Sequence, residues 1–152
     1  MRAKRPYRLR VEGFTLVEIM IVVAIIAMLA AMVYPNFLRA KLQANETTAI
    51  ESMHVLSTAL ESFRGVQTPP DYPDDLTELS DSVPPYVDSI VTSGTRQGYS
   101  FTYGRVNEAQ FTMNGDPVTV GVTGNRGFYV DETGVIRVSD SGSADETSPP
   151  LQ

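Results

Sequence analysis

Phe14 to Val33 constrains this chain more than any other stretch. Phe14 to Val17 and Ile19 to Tyr34 carry no charge, and only Glu18 interrupts the run. Its 20 residues, at about 1.5 Å of rise each, make a helix about 30 Å long, the thickness of a bilayer's hydrocarbon core. A membrane-spanning helix is the reading. A secretory signal would show a shorter apolar core ahead of a small-residue cleavage site, so this segment is expected to stay in the mature chain.

The flanks orient it. Arg2, Lys4, Arg5, Arg8 and Arg10 precede the apolar run, whereas only Arg39 and Lys41 follow it closely. Excess basic residues stay on the cytoplasmic side, so a single pass is expected with the N-terminus in the cytoplasm and the rest of the chain outside. Glu18 is out of place in such a helix. Thr15-Leu16-Val17-Glu18 has the form of a capping box, in which the hydroxyl and the carboxylate satisfy backbone N–H groups at a helix start and the charge complements the helix dipole. An ionisable group at membrane depth equally asks for a functional partner. Both readings stand.

Gly13-Phe14-Thr15-Leu16-Val17-Glu18 behind a short cationic leader resembles the class III signal of type IV pilins and of the related pseudopilins of type II secretion. The match is specific over Gly13 to Arg39. The resemblance implies that a prepilin peptidase cuts between Gly13 and Phe14 on the cytoplasmic face and methylates Phe14, and that the product joins copies of itself and other pilins in a helical filament. An inner-membrane assembly platform is a further implied partner, with the lipid bilayer as host before assembly. The chemistry is arguable from the residues too. Cutting there leaves an α-amino cation on Phe14, one helical turn from Glu18. With subunits stacked at an axial offset, the amine of one meets Glu18 of its neighbour, so Glu18 and Thr15 are the candidate register residues.

Composition narrows the exported part. At 152 residues the chain allows one domain plus appendages. Removing the five basic leader residues and Glu12 leaves seven Lys and Arg against 17 Asp and Glu, a net charge of −10. Binding nucleic acid by neutralising phosphates is therefore not expected of the bulk surface. There is no cysteine, so packing alone must hold a fold in a disulfide-permissive compartment. Many type IVa pilins close a C-terminal loop with a disulfide, which this chain lacks.

Ala24, Ala27 and Ala31 share one face of the apolar helix and suit close approach of helix backbones. Pro35 is expected to kink or locally open the helix, which then resumes. From Asn36 the pattern becomes amphipathic: Leu42, Ala49, Ile50, Met53, Leu56, Leu60 and Phe63 fall on one face, with Glu46, Glu51, Glu61 and Arg64 mostly elsewhere. Gly65 is the expected C-cap. His54 is the single histidine, and without cysteine it supports neither a zinc site nor a nucleophile–base pair. Asn45-Glu46-Thr47 matches a glycosylation sequon and is read as chance, being mid-helix and close to the membrane.

Val66 to Gly98 reads as a connecting loop, with short helical turns at Asp74 to Leu79 and from Pro84-Pro85 to Ile90. Strands are expected at Tyr99 to Val106 and Ala109 to Met113, ended by Asn114-Gly115-Asp116-Pro117. Phe128 to Val130 and Val135 to Val138 flank an Asp131-Glu132-Thr133-Gly134 turn, and Gly127 to Arg137 resembles the last hairpin of some pilin-like proteins. Gly121, Gly124 and Gly127 open no helix and are loop glycines, not a phosphate cradle.

The expected fold is α+β, a long N-terminal helix packed on a small antiparallel sheet of about four strands. Its parts are a cleaved leader 1–13, a membrane and filament-core helix 14–34, an amphipathic helix 35–64, a globular head 65–138 and a flexible acidic tail 139–152. No cofactor is called for. Asp131, Asp140, Asp145 and Glu146 are weak candidates for calcium, which a C-terminal loop binds in one pseudopilin type, but they lack an ordered D-x-D-x-D-G loop. Three functions compete: a pilus subunit, major or minor; a pseudopilin of type II secretion; and a monomeric membrane-anchored binder. A lone binder has no need of Gly13, Phe14 and Glu18 together, and no constellation of side chains supports an enzyme.

Overall fold

A computed structural model describes residues 13–152. The basic leader, apart from Gly13, lies outside the described residues. The chain forms two units that divide between Phe37 and Leu38. In the first, every described residue is exposed. The second holds the sheet and the core.

One helix, α1 at Leu16–Val66, runs through 51 residues. Pro35 sits inside it and helical conformation continues on both sides, so of the expected kink or local opening the opening is not seen. A proline removes one N–H donor from the ladder and its ring crowds the carbonyl four residues back. Gly65 is not the cap either, since the helix ends one residue beyond it at Val66 and Gly65 has no left-handed φ.

The five strands form an antiparallel meander in chain order: β1 Thr95–Arg96, β2 Tyr99–Asn107, β3 Gln110–Pro117, β4 Gly127–Asp131 and β5 Arg137–Ser139. Strand β1 was not expected. It joins β2 through Gln97-Gly98, both at positive φ (47° and 78°), which is the two-residue turn that matches strand twist. Asn114 to Pro117 continues β3 instead of ending it, with Phe101 opposite Gly115. Gly115 is there for close packing: a Cβ would stand 3.0 Å from the Met53 sulfur and 3.3 Å from the Phe101 ring.

The core lies where the sheet meets α1. Ala49, Met53, Leu56, Leu60 and Phe63 of the helix are buried with Tyr99 and Phe101 of β2, Phe111 and Met113 of β3, and Phe128 and Val130 of β4. The Leu, Met, Phe and Val side chains among them contribute about 1.5–3 kcal/mol each on burial. The loop between α1 and the sheet holds α2 Thr77–Asp81 and α3 Ser89–Thr92. Helix α3 starts at Ser89, capped by Asp88, whose carboxylate accepts from the Ile90 N–H at 2.9 Å, and not at Pro84-Pro85.

The acidic tail is bound, not loose. Val138 donates its N–H to the Pro149 carbonyl at 2.9 Å and Leu151 donates to the Ile136 carbonyl at 2.8 Å, so the last residues cover the edge at β5. Asn114 donates its amide to the Ala144 carbonyl at 2.7 Å, and Ala144 is buried. Composition alone predicts disorder here; backbone hydrogen bonds to an otherwise open sheet edge outweigh it.

Candidate functional site

Gly13, Phe14 and Thr15 precede the helix in non-helical conformation. Thr15 Oγ1 accepts from the Glu18 N–H at 3.2 Å, and Glu18 Oε2 accepts from the Thr15 N–H at 2.9 Å and from the Thr15 hydroxyl at 2.8 Å. This is a reciprocal capping box. It occupies one carboxylate oxygen; Oε1 makes no hydrogen bond among the described residues.

Beyond the cap the helix offers an uncovered apolar surface. A segment long and apolar enough to cross a membrane lies in α1, with none of it buried by the chain itself. Phe14, Leu16, Met28, Met32 and Phe37 are more than half exposed. Ala24, Ala27 and Ala31 are exposed on one face, three and four residues apart, and Pro35 follows them within the same helix. Water is a poor solvent for such a surface, and an exposed apolar patch of this size marks an interaction surface.

In the second unit the structure reveals a cluster the sequence reading missed. Glu46, expected to point away from the core, is 5% exposed. Its carboxylate pairs with Arg126 at 2.8 Å and accepts from the Asn125 N–H at 3.0 Å and the Arg126 Nε at 2.9 Å. Asn45 beside it donates its amide to the Thr123 carbonyl at 2.8 Å. Together they tie the β3–β4 connection to α1. The signal was present: 42, 46, 49, 53, 56, 60 and 63 repeat at alternating steps of four and three, so Glu46 stands in the apolar stripe, and a buried carboxylate requires a cation. Asn45 of the sequon is a buried structural amide.

The candidate calcium residues are not gathered. Among the described residues no group of three or more metal-ligating side chains forms. Asp131 accepts from the Thr133 N–H at 3.0 Å within its turn. Asp145 accepts from the Thr147 N–H and hydroxyl and from the Ser148 hydroxyl, which holds its carboxyl below the usual aspartate range. Asp140 is exposed and lines a hollow of about 600 Å³ with Arg39, Leu42, Gln43, Glu46, Asn125 and Arg126. His54 is exposed, with no second histidine or cysteine to work with.

Residues 8–34 match the family model described as the prokaryotic N-terminal methylation motif. The chain is 44% identical over 63 residues to the type IV major pilin protein PilA of Myxococcus xanthus, covering 41% of this chain and 28% of that one. It is 58% identical over 36 residues to the type IV wide pilus major component PilA4 of Thermus thermophilus, covering 24% and 28% respectively. It is 36% identical over 55 residues to the type II secretion system core protein G of Aeromonas hydrophila, covering 36% and 38%. The chain thus spans between 28 and 38% of the length of these relatives. No solved structure matches it. With its capped, uncovered apolar helix and its α+β head, the chain carries the prepilin-type methylation motif, and its relatives are type IV pilins and type II secretion pseudopilins.

Proposed function

We propose that this chain is a structural subunit of a type IV pilus. It is inserted in the inner membrane with its N-terminus cytoplasmic, cut between Gly13 and Phe14 by a prepilin peptidase, and methylated at Phe14. An assembly platform then moves it from lipid into a filament of its own copies and other pilins. The observation that carries this reading is the apolar half of α1, uncovered along its whole length yet capped at its start by Thr15 and Glu18.

The mechanism follows from two solvents for one surface. Before assembly, lipid covers the apolar side chains; in the filament, neighbouring helices do, with Ala24, Ala27 and Ala31 allowing close approach. Glu18 then selects register. In a water-poor bundle an unpaired carboxylate is costly, so subunits settle where the Phe14 amine of one reaches the carboxylate of the next. Glu18→Leu is expected to leave cleavage and methylation intact, seen by mass spectrometry of the N-terminus, while sheared filaments disappear. Normal filaments from that variant overturn the register role.

Kinship to core protein G of Aeromonas hydrophila and of Escherichia coli favours a second reading, a pseudopilin of type II secretion. Long fibres outside intact cells carrying methylated Phe14 support the pilus. Fibres confined to the periplasm support the pseudopilin.

A further inference from the structure

Seven Lys and Arg lie among the described residues, and five are engaged within the chain. Arg64 lies over the Tyr72 ring, 5.2 Å from its centre. Arg96 donates to Ser52 Oγ at 3.2 Å, Arg105 pairs with Asp71 and Asp74, Arg126 pairs with Glu46, and Arg137 donates to the Ser148 carbonyl at 3.1 Å. Arg39 and Lys41 alone make no ion pair and no side-chain hydrogen bond among the described residues. Both are exposed on a molecule that is otherwise acidic. Arg39 opens onto the hollow described above, where Glu46 is already neutralised by Arg126 and Asp140 forms no ion pair with Arg39.

The opposite charge collects at the far end of the same unit. Asp74, Asp75, Glu78 and Asp81 are exposed within eight residues around α2, and only Asp74 has an ion-pair partner. Asp74 and Glu78 line a hollow with Phe63, in the last turns of α1. Phe63 follows Arg39 by 24 residues of continuous helix, about 36 Å along the axis. That distance is several Debye lengths, each about 8 Å at physiological salt, so the two patches are independent within one copy. They meet when two copies stack head to tail. A contact between unlike ends propagates as a helical filament wherever its rotation does not close into a ring.

We propose that Arg39 and Lys41 form the docking surface for the acidic α2 face, Asp75, Glu78 and Asp81, of a copy of this chain farther along the filament than the neighbour whose Glu18 meets the Phe14 amine. The proposal rests on the filament reading above and adds a second, charge-coded contact to the helix bundle. Asp140 of the tail is a poorer partner, since it lines the Arg39 hollow of its own copy.

The test uses the full chain in cells, scoring sheared filaments by pelleting and electron microscopy, with leader cleavage and membrane level as folding controls. R39E/K41E is expected to lose at least about tenfold of filament mass, as like charges then face one another. D75K/E78K is expected to lose a similar amount. The quadruple variant, with both faces reversed, is expected to return to within about threefold of the parent, because the pairing is restored. R39Q/K41Q, a milder change that keeps the fold if the reversals do not, is expected to lose less and to become insensitive to salt. Parent-level filaments from R39E/K41E or R39Q/K41Q overturn the proposal and leave the filament reading standing. A loss that the quadruple variant does not repair overturns the pairing and assigns the two cations to another anion, such as lipid phosphate. Absence of filaments from the parent chain overturns the filament reading itself.

Discussion

Single side chains divide here between those that hold the head together and those that remain free for others. Glu46 belongs to the first kind. Glu46→Ala leaves Arg126 and the Asn125 and Arg126 N–H groups without their acceptor. A loss of about 2 kcal/mol is expected, below the 3–5 of a fully buried pair because Arg126 keeps a side-chain exposure of 37%. Denaturant unfolding of the detergent-solubilised chain measures it, with Glu46→Gln losing less. Asp116 is a weaker point. Burial pushes its carboxyl above the usual aspartate range, Ser143 donates to one oxygen at 3.2 Å, and the other oxygen is buried without a partner. The folded state therefore holds the proton more tightly than the unfolded one, and stability falls as pH rises above the ordinary aspartate range through the raised value. Asp116→Asn should flatten that slope above about pH 4 without lowering the melting temperature at neutral pH; a variant that melts lower at pH 7 contradicts the assignment.

Among the elements, α1 keeps helical conformation through a proline, and the tail is held where its composition reads as mobile. Helix α1 contains a proline and stays continuous, so Pro35→Ala should leave the far-UV helical signal unchanged within error; a clear gain would mean the helix is open at Pro35. The tail reads as disordered and is held by main-chain bonds at β5 and by the Asn114 side-chain amide at Ala144. Gly127 in β4 makes that possible, since a Cβ there would collide with the Gly142 carbonyl and crowd Asp116. Gly127→Ala is expected to displace the tail, and limited proteolysis should then cut between residues 139 and 148 where the parent resists. Turn chemistry was legible where it was orthodox, as at Gly134 with φ 71°, and missed where Gln97 took a left-handed conformation that side chains with a Cβ seldom adopt.

At the scale of the whole molecule, two units answer to different solvents. Every core residue lies at Ala49 or beyond, so residues 38–152 alone are expected to be soluble and monomeric and to melt cooperatively; aggregation of that fragment would mean the core needs the apolar segment. The sequence by itself determined the long apolar segment of α1, the Thr15–Glu18 cap, the stripe along α1 and the α+β class, because each is written in local spacing: an unbroken apolar run, an i to i+3 pair, a helical repeat, alternating strands. Only the tertiary structure decided the fifth strand, the continuation of β3 through Gly115, the anchoring of the tail and the burial of Glu46. Those depend on partners from distant parts of the chain, with Arg126 lying 80 residues beyond Glu46, and no local pattern encodes which distant group will arrive.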